Sequence, residues 1–362
     1  MTATTAHLRP DHPISRVIKG NWQLAGDHGP VDRAAAIADM AAFVDAGITT
    51  FDCADIYTGV EEMIGTFIAD LRQRRGTAAA DRVTVHTKLV PDLAQLATIG
   101  PDGVEAIVDR SLKRLQIDQI PLVQFFWWDL ALGDPLRALE GLRRAQAKGK
   151  VRHLGTTNWD AAPMQRFTEA GFDVVSAQVQ YSVLDRRPAA TLAPWGAGHD
   201  VQLLAFGTLA GGFLTDAWLG RPDPGHAFAN RSLVKYRLII DEFGSWDLFQ
   251  ELLAALQAVG ARHGVPLSAV ASAWVLDQPQ VAGVIIGARY ARHLPRMLDV
   301  FRLRLDAADH ARIGAVIAQA QGPGGPVFAL ESDRGGRHGG IMKYNLNTDP
   351  NTPIHAAARP AG

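Results

Sequence analysis

Thr49-Thr50-Phe51-Asp52-Cys53-Ala54-Asp55-Ile56-Tyr57-Thr58-Gly59 is the stretch on which the reading of this chain turns. Ile48 and Phe51 give it an apolar approach, so its first half reads as the end of a buried strand and its second half as a loop. It brings a carboxylate, Asp52, and then a phenol, Tyr57, to one strand end. A second strand ending, Val83-Thr84-Val85-His86-Thr87-Lys88, adds an ammonium. In a parallel barrel that end is where catalytic groups collect. Asp52, Tyr57 and Lys88 then form a proton-delivery unit, in which the lysine charge lowers the tyrosine pKa and the aspartate holds the lysine. Singly they are ordinary residues, a turn former, a packing phenol and a solvated amine. Their joint arrival at successive strand ends is the signal.

Working outward, the same alternation of apolar strand and helix continues. A first strand from Ser15 to Gly20 precedes a helix Arg33 to Ala46 stopped by Gly47. Strand Thr49 to Asp52 is followed by helix Val60 to Arg72, strand Val83 to Thr87 by helix Gly103 to Leu115, and strand Leu122 to Trp127 by helix Pro135 to Lys148. Strand Val151 to Thr156 leads to helix Ala162 to Glu169, and strand Val174 to Gln178 to a short helix near Ala189 to Ala197. Strand Val201 to Phe206 opens a long insertion, Gly207 to Ser245, before helices Trp246 to His263 and Leu267 to Leu276. Strand Val281 to Ile286 and helix Ala291 to Val300 complete eight units.

Strands that are apolar on both faces, alternating with helices, predict an α/β fold, a single (β/α)8 TIM barrel. A doubly wound open sheet is the competing architecture, but no G-x-G-x-x-G follows the early strands. Residues 1–320 are read as the barrel domain, after a polar leader, and 321–362 as a Gly-rich, partly flexible C-terminal tail. The insertion after strand seven and the tail are expected over the barrel mouth, where long connections shape a pocket.

Composition narrows the function. A length of 362 residues with 47% hydrophobic and 20% charged supports a large core. Lys+Arg 36 against Asp+Glu 37 leaves a net charge of -1, which offers no footprint for nucleic acid or an anionic membrane. A small-molecule substrate is the expected partner, and the oligomeric state is not readable. No apolar run approaches the roughly 20 residues of a membrane span. The single Cys53 has no partner for a disulfide, and Met1 to Pro13 lacks a signal peptide's pattern, so a cytoplasmic location is the default. The 12 histidines show no metal-binding spacing and no metal is expected; nor is there a P-loop motif.

Five motifs together carry a resemblance: Phe51-Asp52-Cys53-Ala54-Asp55-Ile56-Tyr57, Thr87-Lys88, Ser111-Leu112-Lys113-Arg114-Leu115, Gly149-Lys150-Val151-Arg152-His153-Leu154-Gly155-Thr156-Thr157-Asn158-Trp159, and Ile285-Ile286-Gly287-Ala288-Arg289. From Val17 to Val300 the chain resembles the aldo-keto reductase superfamily. The resemblance implies an NADP-dependent oxidoreductase that holds NADP extended at the C-terminal mouth of the barrel. Asp52, Tyr57 and Lys88 match the catalytic positions, with Tyr57 as general acid to a carbonyl oxygen. Thr157, Asn158 and Gln178 match partners of the nicotinamide carboxamide, and Phe206 the ring stacked on the nicotinamide. Gly207, Leu209, Gly211 and Gly212 match the loop around the pyrophosphate, Arg289 and Arg292 match cationic contacts to the 2′-phosphate, and Gly287, in the motif that ends at Arg289, is a further cofactor-binding position.

The resemblance also implies a fourth catalytic residue, a histidine, and here Val123-Gln124-Phe125-Phe126-Trp127-Trp128 has Phe126 in that place. His86, two residues before Lys88, is expected to face away from the site and so not to replace it. Trp22, Phe126, Trp127 and Trp159 are the expected substrate pocket, suited to a bulky or secondary-metabolite-like carbonyl compound. Two alternatives stay open: a net non-redox reaction such as epimerisation or elimination on the same scaffold, and an NADP-binding regulatory protein with impaired turnover. Met297 and Pro295 depart from the family near its adenine contacts.

Overall fold

The computed structural model describes residues 4–26 and 28–347. Ten strands are present: β1 (Thr5–Arg9), β2 (His12–Ser15), β3 (Val17–Gly20), β4 (Thr50–Asp52), β5 (Thr84–Leu89), β6 (Ile120–Phe125), β7 (Val151–Thr157), β8 (Val174–Gln180), β9 (Gln202–Phe206) and β10 (Val281–Gly287). The last eight pair in parallel, each with its sequence neighbour, and β10 returns to β3 to close a barrel. Closure leaves no strand edge exposed, which is why strands buried on both faces are stable here. The open-sheet alternative is thereby excluded.

Helices pack outside the strands and share with them one large apolar core, including Phe43, Phe51, Phe67, Phe125 and Phe249. Their ends follow local chemistry. Asp32 accepts from the Ala35 amide to start helix Arg33–Asp45, and Ser245 does the same from Leu248 for Trp246–His263. Pro295 begins helix Leu294–Arg302 instead of interrupting a longer one.

Three segments differ from the sequence reading. The polar leader contains a hairpin, β1–β2, whose Leu8 and Ile14 join Ile18, Leu122, Val175, Leu204, Ala282 and Ile285 in an apolar cluster. Within the insertion lies a helix, Arg231–Phe243, capped by Asn230. The tail from Gln321 crosses the mouth as a strap. Val327 N–H donates to Asp160 at one end; at the other, the Leu346 and Asn347 amides both donate to Asp92. Flexibility expected for the final stretch concerns residues 348–362, which lie outside the described residues.

Candidate active site

Adjacent parallel strands set the register of the site. Gly20 pairs with Asp52, Asp52 with His86, Lys88 with Gln124, and Thr157 with Gln178, so inward side chains of neighbouring strands meet in layers. The uppermost layer opens into a cavity of about 450 Å³ at the C-terminal end of the barrel. Asp52, Tyr57, Lys88, Thr157, Asn158, Gln178, Phe206, Gly207, Leu209, Gly211, Gly212 and Gly287 all line it, as do Trp22 and Phe126.

At its floor the Lys88 ammonium donates to the Asp52 carboxylate at 2.7 Å and to the Cys53 carbonyl at 2.9 Å, and it stands 5.1 Å from the centre of the Tyr57 ring. Burial works against the lysine charge, but Asp52 and Tyr57 outweigh it and hold Lys88 above its ordinary range. The Tyr57 phenol behaves otherwise than the sequence suggested. Burial raises its pKa, and the pull of Lys88 only partly offsets that. Tyr57 is therefore a protonated phenol at neutral pH.

Asp52 is held from three sides. Lys88 takes one carboxylate oxygen, while the amides of Gln178 (2.6 Å) and Gln124 (3.2 Å) donate to the other. Because a carboxylate only accepts, both glutamines must turn their NH₂ groups toward it. Gln178 also donates to the Gln124 carbonyl oxygen at 2.9 Å. Its own carbonyl oxygen is left as the atom available to the cavity, an acceptor beside Thr157 and Asn158. Asn158 reaches this position with φ +61°, its amide donating to the Gln178 backbone carbonyl at 2.8 Å.

Two expected pocket residues do not line the cavity. Strand alternation turns Gln124 and Phe126 inward and sends Phe125 and Trp127 outward; Trp127 stacks on Phe125 and donates to the Leu132 carbonyl. Trp159 is likewise core, its ring centre 3.9 Å from that of Phe167. Trp128 lines the cavity instead, and Phe126 packs edge-on against it and against Phe328 of the strap. His86 also corrects the sequence reading. Two residues from Lys88, it shares that side chain's inward facing but sits a layer deeper, its Nε2 3.0 Å from that of His12.

Arg289 and Arg292 stand outside the lining. Arg289 donates to the His28 carbonyl at 3.0 Å, and exposed Arg292 lies over the Tyr290 ring. The glycines of the strand-seven loop have a reason that sequence did not show. Gly207 and Gly211 have φ +76° and +65°, and a Cβ on Gly207 would fall 2.5 Å from the Tyr236 hydroxyl, one on Gly211 2.8 Å from its ring. Tyr236, Lys235, Arg231 and the strap residues Ile341, Met342, Lys343 and Leu346 complete the wall. None was singled out from sequence, because both segments lie outside the strand-helix pattern.

An extended dinucleotide suits this donor set. Thr157, Asn158 and the Gln178 carbonyl oxygen offer polar partners to a carboxamide, Phe206 a flat apolar face, and the glycine loop a close backbone approach.

Comparison with known proteins agrees with the fold. The model of the Aldo/keto reductase family matches residues 16–318. Aldo-keto reductase YhdN of Bacillus subtilis (strain 168) is 27% identical over 335 residues, spanning 88% of this chain and 95% of that protein. The NADH-specific methylglyoxal reductase of Escherichia coli (strain K12) is 24% identical over 326 residues, 83% of this chain and 93% of the relative. Among solved structures, the glycerol dehydrogenase AKR11B4 from Gluconobacter oxydans superposes with a TM-score of 0.74 at 24% identity, covering 91% of this chain and 99% of that one. An aldo/keto reductase from Klebsiella pneumoniae in complex with NADP and acetate gives 0.67 at 23% identity, over 89% and 97%.

Proposed function

Because the chain belongs to the aldo/keto reductase family, we propose that it is an NADP-dependent oxidoreductase reducing the carbonyl of a bulky, largely apolar substrate. The observation that carries this reading is the Asp52–Lys88–Tyr57 unit on the floor of the same cavity that Gln178, Asn158 and Phe206 line. When bound, the reduced nicotinamide supplies hydride to the carbonyl carbon. Tyr57 gives its phenolic proton to the carbonyl oxygen, and the phenolate left behind is stabilised by the Lys88 ammonium until solvent reprotonates it. Asp52 keeps Lys88 in place and charged. Thr157, Asn158 and Gln178 would hold the carboxamide, Phe206 would support the ring, and the loop with Gly207, Leu209, Gly211 and Gly212 would hold the pyrophosphate. Gly287 leaves room for the Gln23 side chain at the cavity wall, and Arg289 and Arg292, which stand outside the lining, would have to turn inward to meet a 2′-phosphate.

The substrate side is walled by Trp22, Phe126, Trp128 and Phe328. Phe126 offers no hydrogen bond to a carbonyl oxygen, so Tyr57 is the principal donor, and the pocket favours aromatic or bulky aldehydes and ketones over small ones. Stopped-flow mixing of the enzyme and NADPH with a panel of aldehydes and ketones tests this. The expected result is loss of NADPH absorbance with one alcohol formed per cofactor oxidised. A product of unchanged oxidation state, formed without NADPH consumption, would transfer the assignment to epimerisation or elimination. Binding of NADPH with no turnover of any carbonyl would transfer it to a regulatory role.

A further inference from the structure

We infer that Gln124 is a positioning residue that couples the proton-delivery unit to the carboxamide-binding end of the cavity, by fixing Asp52 and the direction of the Gln178 amide together. The inference rests on the cofactor reading above.

Gln124 is fully buried on β6, paired in register with Lys88, and it stands behind the cavity lining, reaching the cavity only through Asp52 and Gln178. A buried side-chain amide at this place has no packing advantage over leucine, so its value lies in its hydrogen bonds. It makes two, of opposite sense. Its Nε2 donates to Asp52 Oδ1 at 3.2 Å, and its Oε1 accepts from Gln178 Nε2 at 2.9 Å. Gln178 Nε2 donates again to the same Asp52 oxygen at 2.6 Å.

Each bond constrains the next. Asp52 accepts only, so Gln124 must present NH₂ to it and therefore a carbonyl oxygen to Gln178. Gln178 must then turn its NH₂ to these two acceptors and its carbonyl oxygen to the cavity. Flipping Gln178 would set its oxygen against the Gln124 oxygen and the Asp52 carboxylate, leaving acceptors facing acceptors in a buried site. The cavity thus presents an acceptor beside Asn158, complementary to a ligand N–H and not to a ligand carbonyl. A carboxamide NH₂ satisfies it. An acetyl methyl group does not.

The test compares equilibrium binding of NADP with that of its 3-acetylpyridine analogue, in which a methyl replaces the amide NH₂, by quenching of tryptophan fluorescence. The wild type is expected to prefer NADP by about tenfold, the worth of one buried hydrogen bond. In Gln124→Leu the Gln178 amide keeps Asp52 as its acceptor but loses the second one, and Asp52 loses a donor, so the preference is expected to fall to about threefold, with kcat for carbonyl reduction lowered about tenfold. Gln124→Glu separates positioning from packing. As a protonated acid it donates to Asp52 and accepts from Gln178 as glutamine does; as a carboxylate it faces Asp52, with Lys88 and Tyr57 beyond it and His86 a layer below. Both of its forms accept from Gln178, so this variant is expected to keep the wild-type preference at every pH, while its carboxylate, which cannot donate to Asp52 and repels it, adds a second descending limb to the kcat profile, beside that of Tyr57, which Gln124→Leu lacks. A folded Gln124→Leu that retains the full preference, or a Gln124→Glu whose kcat profile matches that of the wild type, overturns the inference. Failure of the wild type to bind NADP overturns the cofactor reading, and this inference with it.

Discussion

In the proposed reaction Tyr57 and Phe126 set the chemistry at the scale of single residues. Burial keeps the Tyr57 phenol protonated above its ordinary range, and Lys88 pulls it back only in part. Carbonyl reduction is therefore expected to hold through neutral pH and to decline only in alkaline solution, where the acid form is lost. Lys88→Met removes that pull, so the alkaline limb should move to higher pH while kcat falls by about 10² or more, as kcat/KM profiles of the two proteins will register. A limb that stays in place would separate Lys88 from the tyrosine. Phe126 defines the opposite case, a place in the site without a donor. On the proposed reading Phe126→His would put an N–H beside the substrate carbonyl, and it is expected to raise kcat for a small aromatic aldehyde by about tenfold or more. Unchanged or lower kcat in steady-state assays would mean that the missing donor does not limit the reaction.

Among the elements, the strap across the mouth depends on a buried charge network. Glu331 of the strap lies 3.1 Å from Arg187, which also pairs with Asp185 at 2.7 Å, and 3.7 Å from Lys235 of the insertion helix. Burial opposes the Glu331 charge, but Lys235 and Arg187 outweigh it and bring its pKa to about 2. A carboxyl held below its ordinary 4.5 adds stability above that value and loses it as pH falls toward 2. Glu331→Gln leaves Lys235 without that counter-charge and Arg187 with Asp185 alone, which is expected to destabilise the protein by about 3 kcal/mol in urea unfolding. Hydrogen exchange should rise selectively over residues 327–347, and KM for a bulky carbonyl substrate should rise with it. Uniform exchange across the chain would refute the strap as a separately held element. This segment was hard to read in advance, because Gly322 to Gly340 has the composition of a linker and its anchors, Asp92, Asp160 and Arg187, lie far away in sequence.

At the scale of the whole molecule the barrel is closed below as well as above. Hairpin β1–β2 sets His12 against His86 of β5, the rings 5.2 Å apart, with His153 of β7 at 5.1 Å and Asp11 paired to His153. Burial, with the nearby His153 and Arg152 outweighing Asp11, lowers the His12 pKa to about 4, and burial holds His86 below its ordinary value as well. Both rings are neutral in the folded state and take up protons on unfolding. Their contribution is complete above pH 6.5 and is lost as pH falls toward 4, about 3 kcal/mol for His12 alone. Thermal melts from pH 7 to pH 4 should show that decline, and His12→Phe should flatten it; an equally steep decline in the variant would place the acid sensitivity elsewhere.

The repeating strand and helix pattern specified a parallel α/β fold of eight units, because strands apolar on both faces and capped helices are local properties that survive without knowledge of neighbours, while closure was decided by the pairing of β10 with β3. The same locality made Asp52, Tyr57 and Lys88 visible as strand-end residues, and alternation, applied strictly, would have turned Trp127 outward and kept His86 on the inner face. Only the tertiary structure could bring Gln124 onto Asp52, lay Tyr236 over Gly207 and Gly211, and draw the strap onto Asp92 and Arg187. These contacts join residues as many as 255 positions apart, as between Asn347 and Asp92. Their geometry depends on how the strands are staggered around the barrel, and no window of sequence carries that stagger.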